Sequence, residues 1–218
     1  MTVTPLEAIL LGILQGLTEF LPVSSSGHLV ICQSLLGMKG DLLIFDVFVH
    51  VGTLFAVVVV FWQDIVDIFR HLFSRYTLLL IVGCIPAALM GLLLDDVFTA
   101  LFSSVTAVAL ALILTGLLLL ISDRFNGTRT LKEMRFSDAL TIGIFQGLAI
   151  TPGLSRSGST IFGALLCGFK RSEAAKFSFI ISIPVILGAA LKEGYDVFST
   201  NGMAVEWTYF LGDRKSVV

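Results

Sequence analysis

Four ionisable side chains lie inside stretches that are otherwise apolar: Glu19, Asp46, His50 and Arg156. A charged side chain at the centre of a bilayer costs about 2.5–3.5 kcal/mol, so such residues usually serve a function. A spacing of four residues places Gln15 and Glu19 on one helix face, and Asp46 and His50 on one face of another helix. We therefore expect these groups to face a polar cavity and one another rather than lipid.

Two short polar segments carry the remaining groups that could do chemistry. Residues 19–28 read EFLPVSSSGH, and residues 152–160 read PGLSRSGST. Helices are predicted to begin near Gly27 and Ser159, which would point backbone N–H groups into the cavity. An arginine fork, hydroxyls and helix N-termini are suited to bind a phosphate or a diphosphate, and a neighbouring carboxylate can hold a divalent cation.

The side chains that we expect to contact the phosphates share a hydroxyl, an amide or an imidazole. They are Gln15, Ser24, Ser26, Ser155, Ser157, Thr160 and His50. Simpler roles remain open. Serines in a broken hairpin often only satisfy freed backbone groups, Arg156 could be a structural partner of Glu19, and Asp46 could lie near the outer interface. Small residues four apart, such as Gly12 and Gly16 or Gly143 and Gly147, are expected to be helix-packing contacts.

The composition indicates the environment of this cavity. Of 218 residues, 56% are apolar or aromatic and 14% are charged, and the mean hydropathy is +0.96. Soluble domains have about 25% charged residues, so the chain is predicted to be a single polytopic membrane domain, residues 1–218. A net charge of -2 gives no basic surface for nucleic acid. The isolated Cys32, Cys84 and Cys167 are interpreted as buried apolar residues without metal-ligand spacing.

Apolar runs predict the spanning helices. Helices of about 20 apolar residues cross the hydrocarbon layer, and candidate runs are Leu42–Trp62, Thr77–Leu94, Val105–Ile121 and the shorter Phe177–Leu191. The connections 63–76 and 122–136 contain arginine or lysine, whereas 95–104 contains two aspartates and no basic residue. The positive-inside rule places the first two in the cytoplasm and the third outside.

An internal repeat relates the two polar segments. The sequence GILQGL at 12–17 recurs as GIFQGL at 143–148, and SSSG at 24–27 recurs as SRSG at 155–158, both at an offset of 131 residues. Each copy contains two apolar half-helices around a Pro/Ser/Gly break. This pattern predicts re-entrant hairpins, at 5–37 and 137–169, that enter from opposite sides and whose tips, 21–26 and 151–157, meet inside the membrane.

The expected fold is therefore an all-α polytopic membrane protein, an inverted-topology repeat with two re-entrant helix-loop-helix hairpins and about four to five spanning helices. Repeat one covers about 5–131, and repeat two about 136–218. A second repeat as long as the first would end near residue 262, about 44 residues beyond Val218. The sequence is thus expected to be a C-terminally truncated form, for which folding and activity are open questions.

The two tips closely resemble the bacterial undecaprenyl-diphosphatase family of the bacitracin-resistance type. The matching segments read QGLTEFLPVSSSGH at 15–28 and PGLSRSGST at 152–160, with support from 45–52 and 177–184. The resemblance implies an enzyme of the bacterial inner membrane that converts undecaprenyl diphosphate to the monophosphate carrier lipid of cell-wall synthesis. It implies an active site at the outer face and a divalent cation, Mg²⁺ or Ca²⁺.

The resemblance also assigns roles by position. Ser25 matches the proposed nucleophile, Glu19 and His28 match cation-ligand or acid/base residues, and Arg156 would clamp the diphosphate. The family accepts Glu or Gln at the first position of its acidic motif, so Gln15 is an accepted variant. A phosphoserine intermediate and direct attack by water both stay open, as does a homodimer.

A secondary transporter or lipid flippase is the main alternative, because broken helices in inverted repeats are typical of transporters. An intramembrane serine protease is weaker, since no histidine follows His71. Phosphate release from a lipid diphosphate separates the phosphatase from the transporter.

Overall fold

The computed structural model describes residues 3–38 and 42–200. Within these ranges the chain is helical and forms no strands; Arg129 and Phe169 make a single isolated bridge. The helices are α1 Pro5–Phe20, α2 Ser25–Leu35, α3 Leu43–Val60, α4 Trp62–Arg70, α5 Arg75–Leu93, α6 Asp95–Phe102, α7 Val105–Ser122, α8 Phe136–Leu148, α9 Arg156–Leu166 and α10 Arg171–Thr200, with a 3-10 turn at Leu131–Glu133.

Three helices in the described part of the chain are long and apolar enough to cross a membrane: α5, α7 and the segment Arg171–Lys192 of α10. The segment Phe45–Val60 of α3 also qualifies when it is joined to α4, from which it is bent by 77°. The prediction of an all-α polytopic membrane protein is confirmed. The described residues contain three such spans, one fewer than the lower end of the predicted four to five, or up to four when the bent pair counts as one span.

Each predicted hairpin corresponds to two short helices with a break between them, α1 and α2 in the first and α8 and α9 in the second. The predicted starts of the second helices were wrong by two to three residues, because α2 begins at Ser25 and α9 at Arg156. Ser24 and Ser155 cap these helices, and their hydroxyls accept hydrogen bonds from the backbone N–H groups of Gly27 and Gly158. Such caps satisfy N–H groups that a helix start leaves unpaired.

The main core lies where α5, α8, α9 and α10 pack together, and it includes Leu79, Ile142, Leu165 and Phe177. Close approach of α8 to α5 requires glycine. A Cβ atom on Gly143 would lie 2.2 Å from a backbone oxygen of α5, and one on Gly147 would lie 2.5 Å from a methionine sulfur.

The expected packing role is therefore found for the second glycine pair. The same prediction was wrong for the first glycine pair, because a Cβ atom on Gly12 or Gly16 would meet no described atom within 4 Å. The neighbouring side chains of Ile9, Ile13 and Leu17 on α1 are exposed as well.

Candidate active site

The two hairpin tips are in direct contact. A Cβ atom on Gly27, in the first turn of α2, would lie 2.8 Å from Gly153 Cα, and one on Gly158 would lie 3.1 Å from the backbone oxygen of Pro22. Only glycine allows the tip backbones to approach this closely. The first turns of α2 and α9 are thereby brought side by side.

Thr115 of α7 fixes the second tip from behind. Its buried hydroxyl donates to the carbonyl oxygen of Gly153 at 2.8 Å and accepts from the backbone N–H of Ser155 at 2.9 Å. Gly153 has φ +91°, a conformation that favours glycine, and a Cβ there would lie 2.3 Å from the carbonyl oxygen of Val108. These contacts set the position at which α9, and therefore Arg156, begins.

The carboxylate of Glu19 lies at the centre of the cluster and is only 7% exposed. Its Oε2 accepts hydrogen bonds from Ser25 Oγ at 2.5 Å and from Gln15 Nε2 at 3.1 Å. Its Oε1 forms an ion pair with Arg156 Nη2, from the other hairpin. The structure thus brings three of the other predicted residues, Ser25, Gln15 and Arg156, together around the carboxylate of Glu19.

Helix α3 supplies a third wall. The Nε2 atom of His50 lies 3.8 Å from Glu19 Oε2, while its Nδ1 lies 2.7 Å from the carbonyl oxygen of Asp46. Because a carbonyl oxygen can only accept, Nδ1 carries the proton and Nε2 faces the carboxylate. Gln33 Nε2 donates to Asp46 Oδ1 at 2.7 Å, which ties α2 to α3.

His28 does not contact the hydroxyl of Ser25 in the way that a general base would. Its Nδ1 donates to the carbonyl oxygen of Ser24 at 2.8 Å, which leaves Nε2 available. The hydroxyl of Ser25 instead points to Glu19. Of the two bases that the sequence allowed, the geometry favours Glu19 as the proton acceptor.

The other predicted hydroxyls are mostly engaged with the protein. Ser24 and Ser155 cap helices, and they lie 3.4 Å from the hydroxyls of Ser26 and Ser157, respectively. Thr160 donates to the backbone of its own helix and pairs with Ser178 Oγ of α10 at 2.5 Å, so its hydroxyl is directed towards α10. Their predicted contacts with phosphate stay predictions.

Two buried polar atoms at the cluster have no hydrogen-bond partner among the described residues: Arg156 Nη1 and Gln15 Oε1. A buried guanidinium N–H without a partner is unfavourable, and an anionic oxygen would satisfy it. The unpaired amide oxygen of Gln15 lies on the same helix face as the Glu19 carboxylate, and both are oxygen ligands of the kind that Mg²⁺ and Ca²⁺ prefer.

A resident cation would need more ligands than these. The described residues contain no group of three His, Cys, Asp or Glu side chains that could hold a metal ion. Magnesium is often bound by one or two protein ligands together with the phosphates of the substrate. The ligands present therefore fit a cation that arrives with a diphosphate.

Three polar side chains next to the cluster were not predicted from the sequence. Thr53 accepts from Gln15 Nε2 at 3.4 Å, Gln33 pairs with Asp46, and Thr115 holds the second tip. For Thr53 a signal was available, because it lies three residues after His50 and therefore on the same face of α3. Gln33, which is followed by Ser34 in α2, and Thr115, within the apolar run of α7, belong to no motif.

Comparison with known proteins gives one consistent result. The family model described as bacitracin resistance protein BacA matches residues 8–215. The undecaprenyl-diphosphatase of Halothermothrix orenii is 50% identical over 204 residues, which cover 92% of this chain and 79% of that protein. The undecaprenyl-diphosphatase of Carboxydothermus hydrogenoformans is 48% identical over 86% of this chain and 72% of that protein. The enzyme of the same name from Methanosphaera stadtmanae is 42% identical over 91% and 80%, respectively.

Proposed function

The chain belongs to the bacitracin resistance protein BacA family, and from this premise we propose that it is a membrane phosphatase that hydrolyses undecaprenyl diphosphate to undecaprenyl phosphate and inorganic phosphate. The names of its relatives support this substrate. They do not favour the alternative of a secondary transporter or lipid flippase. The reaction would return the carrier lipid to peptidoglycan and cell-wall synthesis and would confer resistance to bacitracin.

The observation that carries the proposal is the unpaired Nη1 of Arg156 beside the hydrogen-bonded pair of Glu19 and Ser25. Arg156 and Ser25 are both in the first turn of a helix, where backbone N–H groups and the positive end of the dipole favour an anion. A terminal phosphate that accepts from Nη1 would therefore lie close to the Ser25 hydroxyl. Phosphoryl transfer depends mainly on such positioning and charge neutralisation.

In the proposed reaction Ser25 Oγ attacks the terminal phosphorus, and its proton passes to Glu19 Oε2. The bond between that phosphorus and the bridging oxygen breaks, and undecaprenyl phosphate leaves with the electron pair. Water then attacks the phosphorus of the phosphoserine, the bond to Ser25 Oγ breaks, and the proton held by Glu19 returns to Ser25 Oγ. The protons of the attacking water stay on the released inorganic phosphate or pass to solvent. Arg156 holds the phosphate and balances the negative charge that develops on its oxygens.

A divalent cation, Mg²⁺ or Ca²⁺, is part of the proposal. Glu19 and Gln15 would hold it together with the phosphates of the substrate. When bound, it would neutralise part of the charge of the diphosphate. Gln15 also donates to Glu19 through Nε2 and so orients the carboxylate towards Ser25.

The protein is a multi-pass membrane protein, and we propose that it lies in the bacterial inner membrane with the cavity open to the outside. The basic residues of 63–76 and 122–136 support the orientation of the helices, with these connections in the cytoplasm, through the positive-inside rule. The lipid substrate would then be bound from the outer leaflet. A homodimer stays a prediction.

The experiment is phosphate release from undecaprenyl diphosphate by the purified 218-residue chain, with Mg²⁺ and with a chelator. We expect turnover that depends on the cation, and a loss of at least about 10²-fold in the Glu19→Gln variant. Glu7→Gln is the matched control, because Glu7 is a half-buried carboxylate in the first turn of the same helix that only caps its start. A protein that releases no phosphate, or a Glu19→Gln variant with wild-type turnover, would overturn the proposal.

A further inference from the structure

Helix α4 follows directly after α3 and differs from every other described helix in its strong amphipathicity. Seen along its axis, its apolar side chains form a stripe of roughly 120°, and polar residues occupy the opposite side. The apolar stripe contains Trp62, Ile65, Val66 and Phe69, and the turn that follows adds Leu72 and Phe73.

The aromatic side chains of the apolar stripe and of the turn after it are largely uncovered in the part of the chain that the structure describes, whereas Ile65 and Val66 are half-buried. Trp62 is 59% exposed, Phe69 is 71% exposed and Phe73 is 92% exposed. The helix is nevertheless attached to the rest of the protein on another side. Asp64 forms an ion pair with Lys176 of α10 at 2.6 Å, and Ile68 packs against the main core.

The direction of α4 matters for what covers this stripe. The helix is bent by 77° from α3, so if α3 crosses the bilayer, α4 runs nearly parallel to the membrane plane. The last turns of α3, which lead directly into α4, also expose apolar side chains: Phe55, Val59 and Val60. Exposed apolar side chains are therefore present on both sides of the bend between α3 and α4.

The charges of α4 argue against its being the second half of a broken span. Asp64, Asp67 and Arg70 fall within nine residues, and ionised side chains are costly at the bilayer centre. A short helix with one charged side, one apolar side and tryptophan at its start is typical of a segment in the membrane interface.

We propose that α4 is an interfacial helix whose apolar stripe lies in the boundary between the headgroups and acyl chains of the bilayer, while Gln63, Asp67 and Arg70 face water. Hydrophobic burial holds it there. One arginine against two aspartates gives the helix no positive charge with which to select anionic lipids. The anchor would also fix the depth of α3, which carries His50 and Thr53 at the candidate active site.

The test uses Trp62 as the reporter. The chain contains two tryptophans, so Trp207→Phe leaves Trp62 as the sole emitter of the full-length protein. This variant is reconstituted in phosphatidylcholine vesicles whose acyl chains carry bromine either near the headgroup or near the bilayer centre. We expect severalfold stronger quenching by the shallow bromines than by the deep ones, and no change when a third of the lipid is phosphatidylglycerol.

The matched control places the reporter one residue later, about 100° around the helix axis and outside the apolar stripe, where Gln63 is exposed. In the variant Gln63→Trp with Trp62→Phe and Trp207→Phe, we expect quenching by aqueous iodide and little quenching by either bromolipid. Stronger quenching of Trp62 by the deep bromines would show a broken span and overturn the proposal. Quenching of Trp62 by iodide, without any effect of the bromolipids, would overturn it as well. A third contrary result is a Trp62 that bromolipids quench only after the protein is diluted in the bilayer, which would show that a second copy of the chain covers the stripe.

Discussion

Ser25 and Arg156 occupy equivalent positions in the two repeated segments, 131 residues apart, and both contact the carboxylate of Glu19. Each is the first residue of a helix that a serine caps, Ser24 in one hairpin and Ser155 in the other. The repeat therefore provides two similar helix starts, and substitution has made them different. The first helix start carries the hydroxyl of Ser25, which can attack a phosphorus, and the second carries the guanidinium of Arg156, which can bind the phosphate that is attacked.

Ser25→Ala tests whether the hydroxyl is the nucleophile. The variant keeps the helix start and loses the hydrogen bond to Glu19, so we expect kcat to fall by at least about 10³-fold with little change in the unfolding temperature. Phosphate release under saturating undecaprenyl diphosphate measures this. Ser103→Ala, at an exposed turn, is the control. Retention of substantial turnover by Ser25→Ala would indicate that water attacks the phosphorus directly.

Arg156→Lys tests the need for a guanidinium. A lysine retains the charge, but its single ammonium cannot reproduce the planar fork that contacts Glu19 through Nη2 and is free to donate through Nη1. We expect kcat/KM for phosphate release to fall by about 10²-fold or more. The exposed Arg124 provides the control Arg124→Lys, for which activity should be unchanged. Equal activity of the two variants would mean that Arg156 is only a structural partner of Glu19.

Thr115 is predicted to act on the reaction through the position of Arg156. Thr115→Val removes both hydrogen bonds to the second tip, so we expect kcat/KM to fall by about 10–10²-fold, because small displacements of positioning groups are costly. Thr115→Ser keeps the hydroxyl and should recover most of the activity. Thr106→Val, at an exposed position of the same helix, is the control. If the valine and serine variants lose activity equally, packing rather than hydrogen bonding explains the loss.

The sequence was sufficient to predict the class of fold and most of the cluster around Glu19. Polar residues in apolar runs are costly, and a repeat with broken helices restricts where they can meet. It was not sufficient to decide which atoms pair. The choice of Glu19 over His28 as the partner of Ser25 depends on where α2 begins, and the Ser24 cap moves that start from the predicted Gly27 to Ser25. The contribution of Thr115 depends on how α7 packs against the second tip, which no local pattern in the sequence indicates.

Gly153→Ala tests the close contact at the second tip. An alanine there would have to adopt the left-handed backbone of Gly153, and its Cβ would lie 2.3 Å from the carbonyl oxygen of Val108. We therefore expect a loss of at least about 2 kcal/mol in the free energy of unfolding. Gly12→Ala is the matched control, because nothing lies within 4 Å of its Cβ and alanine favours the helix by up to about 1 kcal/mol. Denaturant unfolding in detergent measures both. A stable Gly153→Ala protein would contradict the contact between the tip and α7.

The ion pair of Arg129 and Asp138, outside the spanning helices, predicts a specific dependence of stability on pH. Its atoms Nη2 and Oδ2 are 2.6 Å apart, and the same carboxylate oxygen accepts from the backbone N–H of Arg135. Burial alone would raise the pKa of Asp138, but the hydrogen bonds from Arg129 and Arg135 outweigh it and hold the pKa below its ordinary value. A lowered pKa in the folded state means that the unfolded chain binds the proton more readily. The stabilisation is therefore fully present above the ordinary pKa of about 3.9 and is lost as the pH falls through the lower pKa of the folded state.

Asp138→Asn should consequently lower the free energy of unfolding by about 1–3 kcal/mol at neutral pH. It should also reduce the further loss of stability that the unaltered protein shows between about pH 5 and pH 3. Asp96→Asn, at an exposed position of α6, is the control and should leave both quantities unchanged. Thermal unfolding of the two variants across this range makes the comparison. An acid transition as steep in Asp138→Asn as in the unaltered chain would show that other carboxylates dominate it, and that this pair contributes little to holding α8 against the segment before it.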